Sequence, residues 1–361
     1  MAGTDLPLLR AFPAIERALP RIPFIRVPTP VEPLALGGIA PGTLFVKRDD
    51  RSCPLYGGNK PRKLEFLLGR ARARGCRTLV TTGGLGTNHG LAMTILARSA
   101  GISSVLVLVD QPVTPGVRET LRLHLAYGAT QIAARNVGGA ALQTLRALAV
   151  SALHGERPQL VPTGGSCALG NVGCVSAGFE LAEQIRAGEC PEPETIYVAV
   201  GTGGSAAGLA VGLRLAGLRS RVQGVLVLDI LPPSPARLAR AARATLRLLR
   251  RADPSIPELK FDASDFPLVR DQLGAGYGVP TPAATEAVAA AAAAGLRLET
   301  TYTGKTLACI RALAARGALG KGPVLFWDTY NAIDVAAAAP RSVSEADLPR
   351  GIRRAIARAA H

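Results

Sequence analysis

The segment GGNKPRKLE, residues 57–65, places Lys60 behind a pair of glycines and at the start of a predicted helix. Proline suits the first position of a helix, and it favours an extended backbone in the residue before it. The apolar residues that follow have helical spacing: Leu64, Leu67, Leu68 and Ala71. Gly75 is typical of a helix end. We therefore expect a helix from Lys60 to Gly75, with Arg62 facing solvent and Lys60 placed to form a Schiff base with a carbonyl compound.

A second glycine-rich turn, GGLGTNHG at residues 83–90, follows the predicted strand RTLVTT at residues 77–82. Thr87, Asn88 and His89 open the next predicted helix. Backbone N–H groups at a helix start are placed to bind a carboxylate. The simpler alternative is that Thr87 or Asn88 only caps the helix.

Strand and helix patterns alternate along the chain. Short apolar runs that are typical of buried strands occupy residues 77–82, 103–109, 195–200, 222–228 and 323–327. This alternation predicts an α/β fold with mainly parallel, twisted sheets flanked by helices. The length of 361 residues suffices for two domains. No long linker separates them, so we expect two interleaved domains.

A third glycine-rich loop, GTGGSAAG at residues 201–208, follows the predicted strand TIYVAV. A strand, a glycine loop and a helix in this order bind phosphate groups. The loop also fits the dinucleotide pattern G-x-G-x-x-A, and the next strand leads to Asp229. A nicotinamide-dependent oxidoreductase is therefore an alternative, although it leaves Lys60 and its glycines unexplained.

The net charge of +16 would suit a nucleic-acid or acidic-membrane partner. The densest group of arginines, between residues 237 and 251, instead falls on one face of a predicted helix with leucines opposite. No aromatic residues interleave with these arginines, so we expect a solvated helix face and no nucleic-acid partner.

Cysteine and apolar patterns indicate a cytoplasmic enzyme without a metal site. The six cysteines include no CxxC pair, and only four histidines are present. Reduced thiols are the expectation. The first residues mix charge and proline into their apolar stretch, unlike a signal peptide. No apolar run of about 18 residues predicts a membrane span.

These motifs, together with PTPVEPL at residues 28–34 and VKRDD at residues 46–50, resemble a known family. It is the family of pyridoxal-phosphate enzymes that contains 1-aminocyclopropane-1-carboxylate deaminase and D-cysteine desulfhydrase. The resemblance covers nearly the whole chain, and GGNK-x-RKLE is highly specific to this family. It implies the tryptophan-synthase-β-like fold (fold type II), pyridoxal 5'-phosphate as cofactor, a small amino-acid substrate and a homodimer.

The resemblance also implies roles for individual residues. Lys60 would bind the cofactor covalently, Lys63 would contact its phosphate, and Asn88 would contact its ring hydroxyl. The phosphate would lie in the third glycine loop, which removes that loop from the nicotinamide alternative. The residues implied for this loop are Gly201, Thr202, Gly203, Gly204 and Ser205.

Further residues are implied for the substrate. Family members place two tyrosines near it, and the candidates are Tyr277 in GYGVP and Tyr302 in TTYTGKT. The alternative for both is a buried tyrosine satisfied by core hydrogen bonds. The expected catalytic set is Lys60, Thr87, Tyr277 and Tyr302. The expected substrate contacts are Thr87, Asn88, His89, Ser166 in PTGGSCALGNVG and Tyr330.

Thr303, which follows the second tyrosine, would face the pyridine nitrogen of the cofactor. Deaminases of the family resemble YEGK at this point, whereas this chain reads YTGK, as desulfhydrases do. A threonine cannot hold a protonated pyridine nitrogen as a carboxylate can. The weaker electron sink suits β-elimination better than opening an unactivated ring.

Two segments depart from the family pattern. GG-x-QSNH is replaced by GGLGTNH, so Gly86 removes a glutamine amide and Thr87 adds a methyl group. The C-terminal HTGG is replaced by DTYN at residues 328–331. Both changes are expected to alter the substrate pocket rather than the cofactor seat.

The sequence thus predicts a D-cysteine desulfhydrase-like lyase that gives a 2-oxo acid and ammonia. Ring opening of the 1-aminocyclopropane-1-carboxylate deaminase type and β-replacement on the same fold are alternatives, as is a non-catalytic ligand-binding descendant. Residues 1–62 and 172–361 are assigned to a larger cofactor domain, and residues 63–171 to a smaller substrate-side domain.

Overall fold

A computed structural model describes residues 5–359 and confirms the predicted α/β fold with mainly parallel sheets. The strands are β1 (Val31–Pro33), β2 (Leu44–Lys47), β3 (Thr78–Gly84), β4 (Ser103–Val109), β5 (Thr130–Ala134), β6 (Pro158–Val161), β7 (Thr195–Val200), β8 (Arg221–Leu226), β9 (Leu268–Val269) and β10 (Val324–Trp327). All five apolar runs singled out above form strands, shifted by two residues at most.

Helices separate most of the strands, as the alternation predicts. They are α1 (Pro7–Ala11), α2 (Ala14–Ala18), α3 (Lys60–Ala73), α4 (Asn88–Ser99), α5 (Pro115–Ala126), α6 (Val137–Leu153), α7 (Ala168–Arg186), α8 (Gly204–Leu215), α9 (Pro235–Ala252), α10 (Pro282–Ala293), α11 (Thr303–Ala315) and α12 (Arg350–Arg358). Each of the three glycine-rich motifs leads into a helix, α3, α4 or α8.

The chain divides into two compact units, each built from two separate stretches of sequence. The first unit comprises residues 1–66 and 166–333, and the second comprises residues 67–165 and 334–361. The first unit contains a six-stranded sheet in the order β1-β2-β10-β7-β8-β9, in which only the β1–β2 pair is antiparallel. The second contains a fully parallel four-stranded sheet in the order β5-β4-β3-β6.

The division into domains made from the sequence stays a prediction, and it differs from these units mainly in residues 334–361. In the structure, α12 packs on β5. Tyr127 Oη donates to the carbonyl of Val335 at 2.8 Å. Arg358 also pairs with Asp110 at 2.8 Å. These contacts join the C-terminal residues to the second unit.

A buried ionic cluster anchors the first turn of α3. Arg62 donates to Asp49 Oδ1 at 2.6 Å and to Glu180 Oε2 at 2.8 Å. Glu180 also accepts from Lys47 Nζ at 2.6 Å, and Asp49 accepts from Trp327 Nε1 at 2.8 Å. The expectation that Arg62 faces solvent is therefore wrong, because its guanidinium is 1% exposed and satisfies two buried carboxylates.

The arginine-rich segment forms α9, as expected, with Leu238 and Leu249 buried on its inner face. All six cysteines are free. Among residues 5–359, no helix is both long and apolar enough to cross a bilayer.

Candidate active site around Lys60

The loop that precedes Lys60 requires glycine at two successive positions. A Cβ on Gly57 would lie 1.7 Å from the carbonyl oxygen of Asp50. Gly58 has a φ of +86°, and a Cβ there would lie 2.5 Å from the carbonyl oxygen of Thr329. Only glycine combines this backbone conformation with this close approach. The motif GGNK therefore fixes the path of the chain into α3.

Lys60 is the first residue of α3, and its Nζ donates to Asn59 Oδ1 at 2.8 Å. The Asn59 side chain is itself oriented by Ser205 Oγ, which accepts from Asn59 Nδ2 at 2.8 Å. Burial of the ammonium group, and then the nearby Lys63 cation, lower the pKa of Lys60 to about 7. A substantial fraction of Lys60 is therefore a neutral amine at neutral pH, which is the form that attacks a carbonyl carbon.

A polar cradle lies between α3 and the start of α8. Lys63 Nζ donates to Ser166 Oγ at 3.1 Å, and Ser166 Oγ lies 2.5 Å from Thr202 Oγ1. Gly203 has a φ of +87° and precedes Gly204, the first residue of α8. A cation, two hydroxyl groups and a helix N-terminus together bind a phosphate group.

The cradle is kept open by the absence of a side chain at Gly204. A Cβ at this position would lie 2.5 Å from both Ser166 Oγ and the side chain of Asn171, and 2.9 Å from Lys63 Nζ. Such a group would fill the space that a phosphate oxygen needs. The residues present therefore fit a phosphate-bearing cofactor. Ser166, which the sequence assigned to the substrate, lies with Lys63 and Thr202.

Tyr277 and Tyr302 form a pair with their hydroxyl oxygens 2.7 Å apart and their rings edge to face. Tyr302 lies beside the phosphate cradle, because a Cβ on Gly201 would be 3.2 Å from its ring. Burial raises the pKa of both tyrosines, so both remain protonated at neutral pH. Asp229, the residue that favoured a dinucleotide, accepts from the backbone N–H of Tyr277 at 3.0 Å.

Thr303 is fully buried and begins α11. Its backbone N–H donates to Glu299 Oε1 at 3.0 Å, and its Oγ1 accepts from the backbone N–H of Glu299 at 3.2 Å. Glu299 also accepts from the backbone N–H groups of Thr301 and Tyr302, both at 2.7 Å. Sequence reasoning missed Glu299, although a carboxylate just before a helix start is a recognisable signal.

The second glycine turn belongs to the other unit and opens α4. Thr87 caps this helix, since its Oγ1 accepts from the backbone N–H of Gly90 at 3.2 Å. Asn88 is the first helical residue, and His89 is buried in the first turn. The carbonyl of Thr87 is 3.2 Å from His124 Nε2, a residue that the sequence did not single out. Burial lowers the pKa of His124 to about 4, so its ring is neutral.

The DTYN segment follows β10 and lies against the glycines that precede Lys60. Asn331 Oδ1 accepts from the backbone N–H of Gly57 at 2.6 Å. The carbonyl of Tyr330 would lie 2.9 Å from a Cβ on Gly58. Burial, and then the neighbouring Asp50, raise the pKa of Asp328 well above its ordinary value. In the first unit the segment thus supports the Lys60 loop.

The predicted residues fall into two groups. The first unit brings together the cofactor and tyrosine candidates: Lys60, Lys63, Ser166, Gly201–Ser205, Tyr277, Tyr302 and Thr303. The second unit contains Thr87, Asn88 and His89. Asn59, Glu299 and His124 are the contributors that sequence reasoning did not identify.

Known proteins match this chain over most of its length. The family described as pyridoxal-phosphate dependent enzyme matches residues 22–329. Nocardicin C-9' epimerase from Nocardia uniformis subsp. tsuyamanensis is 34% identical over 86% of this chain and 93% of its own length. A D-cysteine desulfhydrase from Salmonella typhimurium is 35% identical over 87% of this chain and 94% of its own length.

Solved structures agree with this. The crystal structure of an ACC deaminase homologue has a TM-score of 0.73 and 26% identity, and the match covers 88% of this chain and 93% of that one. A bacterial-type threonine deaminase, described as that of T.th., shares the fold at 18% identity and a TM-score of 0.54, over 81% of this chain and 88% of its own. The predicted tryptophan-synthase-β-like fold is confirmed. The chain therefore belongs to the pyridoxal-phosphate dependent enzyme family, and its cofactor is pyridoxal 5'-phosphate.

Proposed function

We propose that this chain is a lyase that removes the β-substituent of a small amino acid, with D-cysteine as the leading substrate. The observation that carries the proposal is the Lys60 amine, whose pKa of about 7 suits a nucleophile and general base at neutral pH. It lies in the same unit as a cradle that fits phosphate. The similarity to proteins named D-cysteine desulfhydrase supports the choice of substrate.

The cofactor would be held by residues from three loops. Lys60 would bind its aldehyde carbon. Lys63, Ser166 and the loop 201–205 would hold its phosphate, while Asn88 and Thr303 would meet its ring. When bound, the cofactor draws electrons from the Cα of the substrate and thereby acidifies the Cα proton.

The side chains of this protein would then manage binding and proton transfer. Thr87 and the first N–H groups of α4 would hold the substrate carboxylate and fix the orientation of the Cα–H bond. The Lys60 amine would remove the Cα proton. One hydroxyl of the Tyr277–Tyr302 pair would donate a proton to the departing sulfur. Water then completes the conversion of D-cysteine into pyruvate, ammonia and sulfide.

Thr303 favours elimination over ring opening. Its hydroxyl is neutral, and its Oγ1 accepts from the Glu299 backbone N–H. A neutral hydroxyl stabilises a protonated ring nitrogen less than a carboxylate does, so less charge is drawn into the ring. Elimination tolerates this because the leaving group carries charge away from the substrate.

Epimerisation is a second candidate, favoured by the relative named nocardicin C-9' epimerase. Both reactions begin with removal of the Cα proton, and an epimerase must return a proton to the opposite face. The Tyr277–Tyr302 pair supplies O–H donors in addition to the Lys60 amine. An amino acid without a β-leaving group separates the two, because only an epimerase inverts it and exchanges its Cα hydrogen with D₂O.

The proposal is tested with a panel of D- and L-amino acids scored for 2-oxo acid, sulfide, new amino acids and inversion. Pyruvate and sulfide from D-cysteine are expected, whereas 2-oxobutyrate from 1-aminocyclopropane-1-carboxylate would indicate ring opening. A new amino acid would indicate β-replacement. Lys60→Ala should abolish both turnover and the absorbance of the covalently bound cofactor, while Lys321→Ala, at an exposed position, should change neither. Persistence of that absorbance band in Lys60→Ala would contradict the assignment, and inertness of the cofactor-loaded protein toward every amino acid would favour a non-catalytic descendant.

We also propose a homodimer and a cytoplasmic location, both from the family resemblance. Light scattering behind a size-exclusion column would test the first, and cell fractionation the second. A mass corresponding to one chain of 37.3 kDa would contradict the dimer.

A further inference from the structure

The parallel pairing of β3 and β4 brings two turns together at the carboxyl edge of the four-stranded sheet. Gly84, the last residue of β3, is paired with Val109, the last residue of β4. The backbone N–H of Leu85 continues the ladder by donating to the carbonyl of Val109 at 3.0 Å. Two residues beyond each strand end, Gly86 meets Gln111. Ligands of parallel sheets bind at this edge.

Gln111 occupies the space that a side chain at position 86 would use. Its Oε1 accepts from the backbone N–H of Gly86 at 3.3 Å. A Cβ on Gly86 would lie 3.3 Å from Gln111 Nε2 and 2.8 Å from Val117 Cγ2. Gly86 does not have a positive φ, so glycine is needed here for space and not for backbone conformation.

The orientation of the Gln111 amide leaves a donor available. Because Oε1 faces the N–H of Gly86, Nε2 carries the two hydrogens that remain. Within residues 5–359, Nε2 makes no hydrogen bond, and the side chain is only partly buried. A primary amide so placed beside the turn before α4 can donate to an anion.

The charges around this turn do not oppose an anion. Asp110 is neutralised by Arg358, whose Nη2 lies 2.8 Å from one carboxylate oxygen and 3.0 Å from the other. His124, held on the carbonyl of Thr87, is neutral because burial lowers its pKa to about 4. The N–H groups at the start of α4 add positive potential.

We propose that Gln111 donates a hydrogen bond to the substrate carboxylate at the Gly86–Asn88 turn, and so supplies the amide that the family pattern GG-x-QSNH carries at position 86. This inference rests on the proposed function, since it requires an amino acid bound at that turn. The donor has moved from the β3 loop to the β4 loop while serving the same edge of the sheet. Gln111 thereby selects substrates with a free carboxylate.

A titration of the cofactor-loaded protein with glycine and with glycinamide tests the proposal. Both ligands present an amine to the cofactor and change its absorbance, but only glycine has a carboxylate. Gln111→Glu keeps an acceptor for the N–H of Gly86, removes the donor and adds a negative charge. We expect it to weaken glycine binding by at least about tenfold and to leave glycinamide within about twofold. The matched control Gln143→Glu adds the same charge on α6, and it should change neither.

A purely structural role for Gln111 predicts a different result. If the amide only braced the loop, Gln111→Glu would preserve the brace, and glycine binding would stay unchanged or fall together with glycinamide binding. Either outcome would overturn the inference alone. If the wild-type protein with bound cofactor gave no spectral response to glycine, the proposed function itself would be overturned.

A relocation of the amide provides a second, independent measurement. Gln111→Gly should weaken glycine binding on its own. Adding Gly86→Gln, with Val117→Ala to make room for the new side chain, should restore glycine affinity to within about threefold of wild type. Equal affinities with and without the relocated glutamine would count against a direct contact with the carboxylate.

Discussion

Gly57 N–H donates a 2.6 Å hydrogen bond to Asn331 Oδ1, across 274 residues of sequence. The bond joins the DTYN segment to the loop that carries Lys60. Asn331 also braces its own turn, since its Oδ1 accepts from the N–H of Ile333 and its Nδ2 donates to the carbonyl of that residue, both at 3.0 Å. One amide therefore fixes two backbone segments beside the candidate lysine.

Asn331→Ala should lower the free energy of unfolding by about 1–3 kcal/mol, because it leaves the buried N–H of Gly57 without an acceptor. The cofactor should also dissociate faster, since the loop before Lys60 loses its brace. Urea unfolding of the cofactor-free protein and the decay of cofactor absorbance after dilution measure the two effects. Asp334→Ala, at an exposed position three residues further on, serves as control. Unchanged cofactor dissociation in Asn331→Ala would show that the bond does not reach the site.

Gly204→Ala should weaken binding of pyridoxal 5'-phosphate by at least about tenfold, because its methyl group takes the place of a phosphate oxygen. The methyl group would lie 2.5 Å from Ser166 Oγ, so the cradle must also shift. Equilibrium titration of the cofactor-free variant gives the affinity. Gly37→Ala is the matched control, since a Cβ there meets nothing within 4 Å. Affinity for pyridoxal without phosphate should fall much less, and an equal loss for both aldehydes would contradict a phosphate site at Gly204.

The sequence was sufficient to predict the strands, the helices after each glycine motif and the cofactor lysine, because these depend on local spacing. Residues that act through distant pairing were missed. Asn59 meets Ser205 and Gly57 meets Asn331, and no local pattern relates these positions. Arg62 was wrongly placed in solvent, since the surface position expected for arginine is overridden by Asp49 and Glu180, which the fold brings to it.

The departures from the family pattern illustrate the same limit. Gly86 reads as a lost amide in the sequence, whereas the structure places the amide of Gln111 against it. This pairing follows from the β3–β4 register, so it becomes predictable only once Gly84 is known to face Val109. Register between parallel strands is fixed by tertiary packing over an intervening helix, which the sequence of either strand does not specify.

The pH dependence of Lys60 provides a test of its surroundings. Its pKa is lowered to about 7, so the neutral amine increases as the pH rises through 7 and is complete well below the ordinary lysine value of 10.5. The rate at which the cofactor-free protein condenses with pyridoxal should therefore rise between about pH 6 and 8 and then level off. Stopped-flow absorbance, with the Lys60→Ala background subtracted, gives the profile.

Lys63→Met sharpens this test by removing the second cause of the shift. Without the neighbouring cation, the midpoint for Lys60 should move to higher pH, although burial still holds it below 10.5. Pyridoxal lacks the phosphate that Lys63 would bind, so the comparison reports on the amine alone. A profile that continues to rise up to about pH 10 in the wild-type protein would contradict the lowered pKa.

The Tyr277–Tyr302 pair makes a prediction that depends on the leaving group. With the hydroxyl oxygens 2.7 Å apart, one tyrosine donates to the other, and the second keeps a hydrogen to give away. A thiol leaving group benefits from that proton, whereas chloride departs without it. Tyr302→Phe should therefore lower kcat for D-cysteine by about 100-fold or more and for β-chloro-D-alanine by much less. Tyr277→Phe should act in the same direction, since it removes the partner that orients the donor. Tyr127→Phe, which loses a hydroxyl bonded to the carbonyl of Val335, controls for the stability cost of deleting a buried hydroxyl. Equal losses with both substrates would instead assign the pair to holding the substrate or cofactor in place, because an effect on position does not depend on how basic the leaving group is.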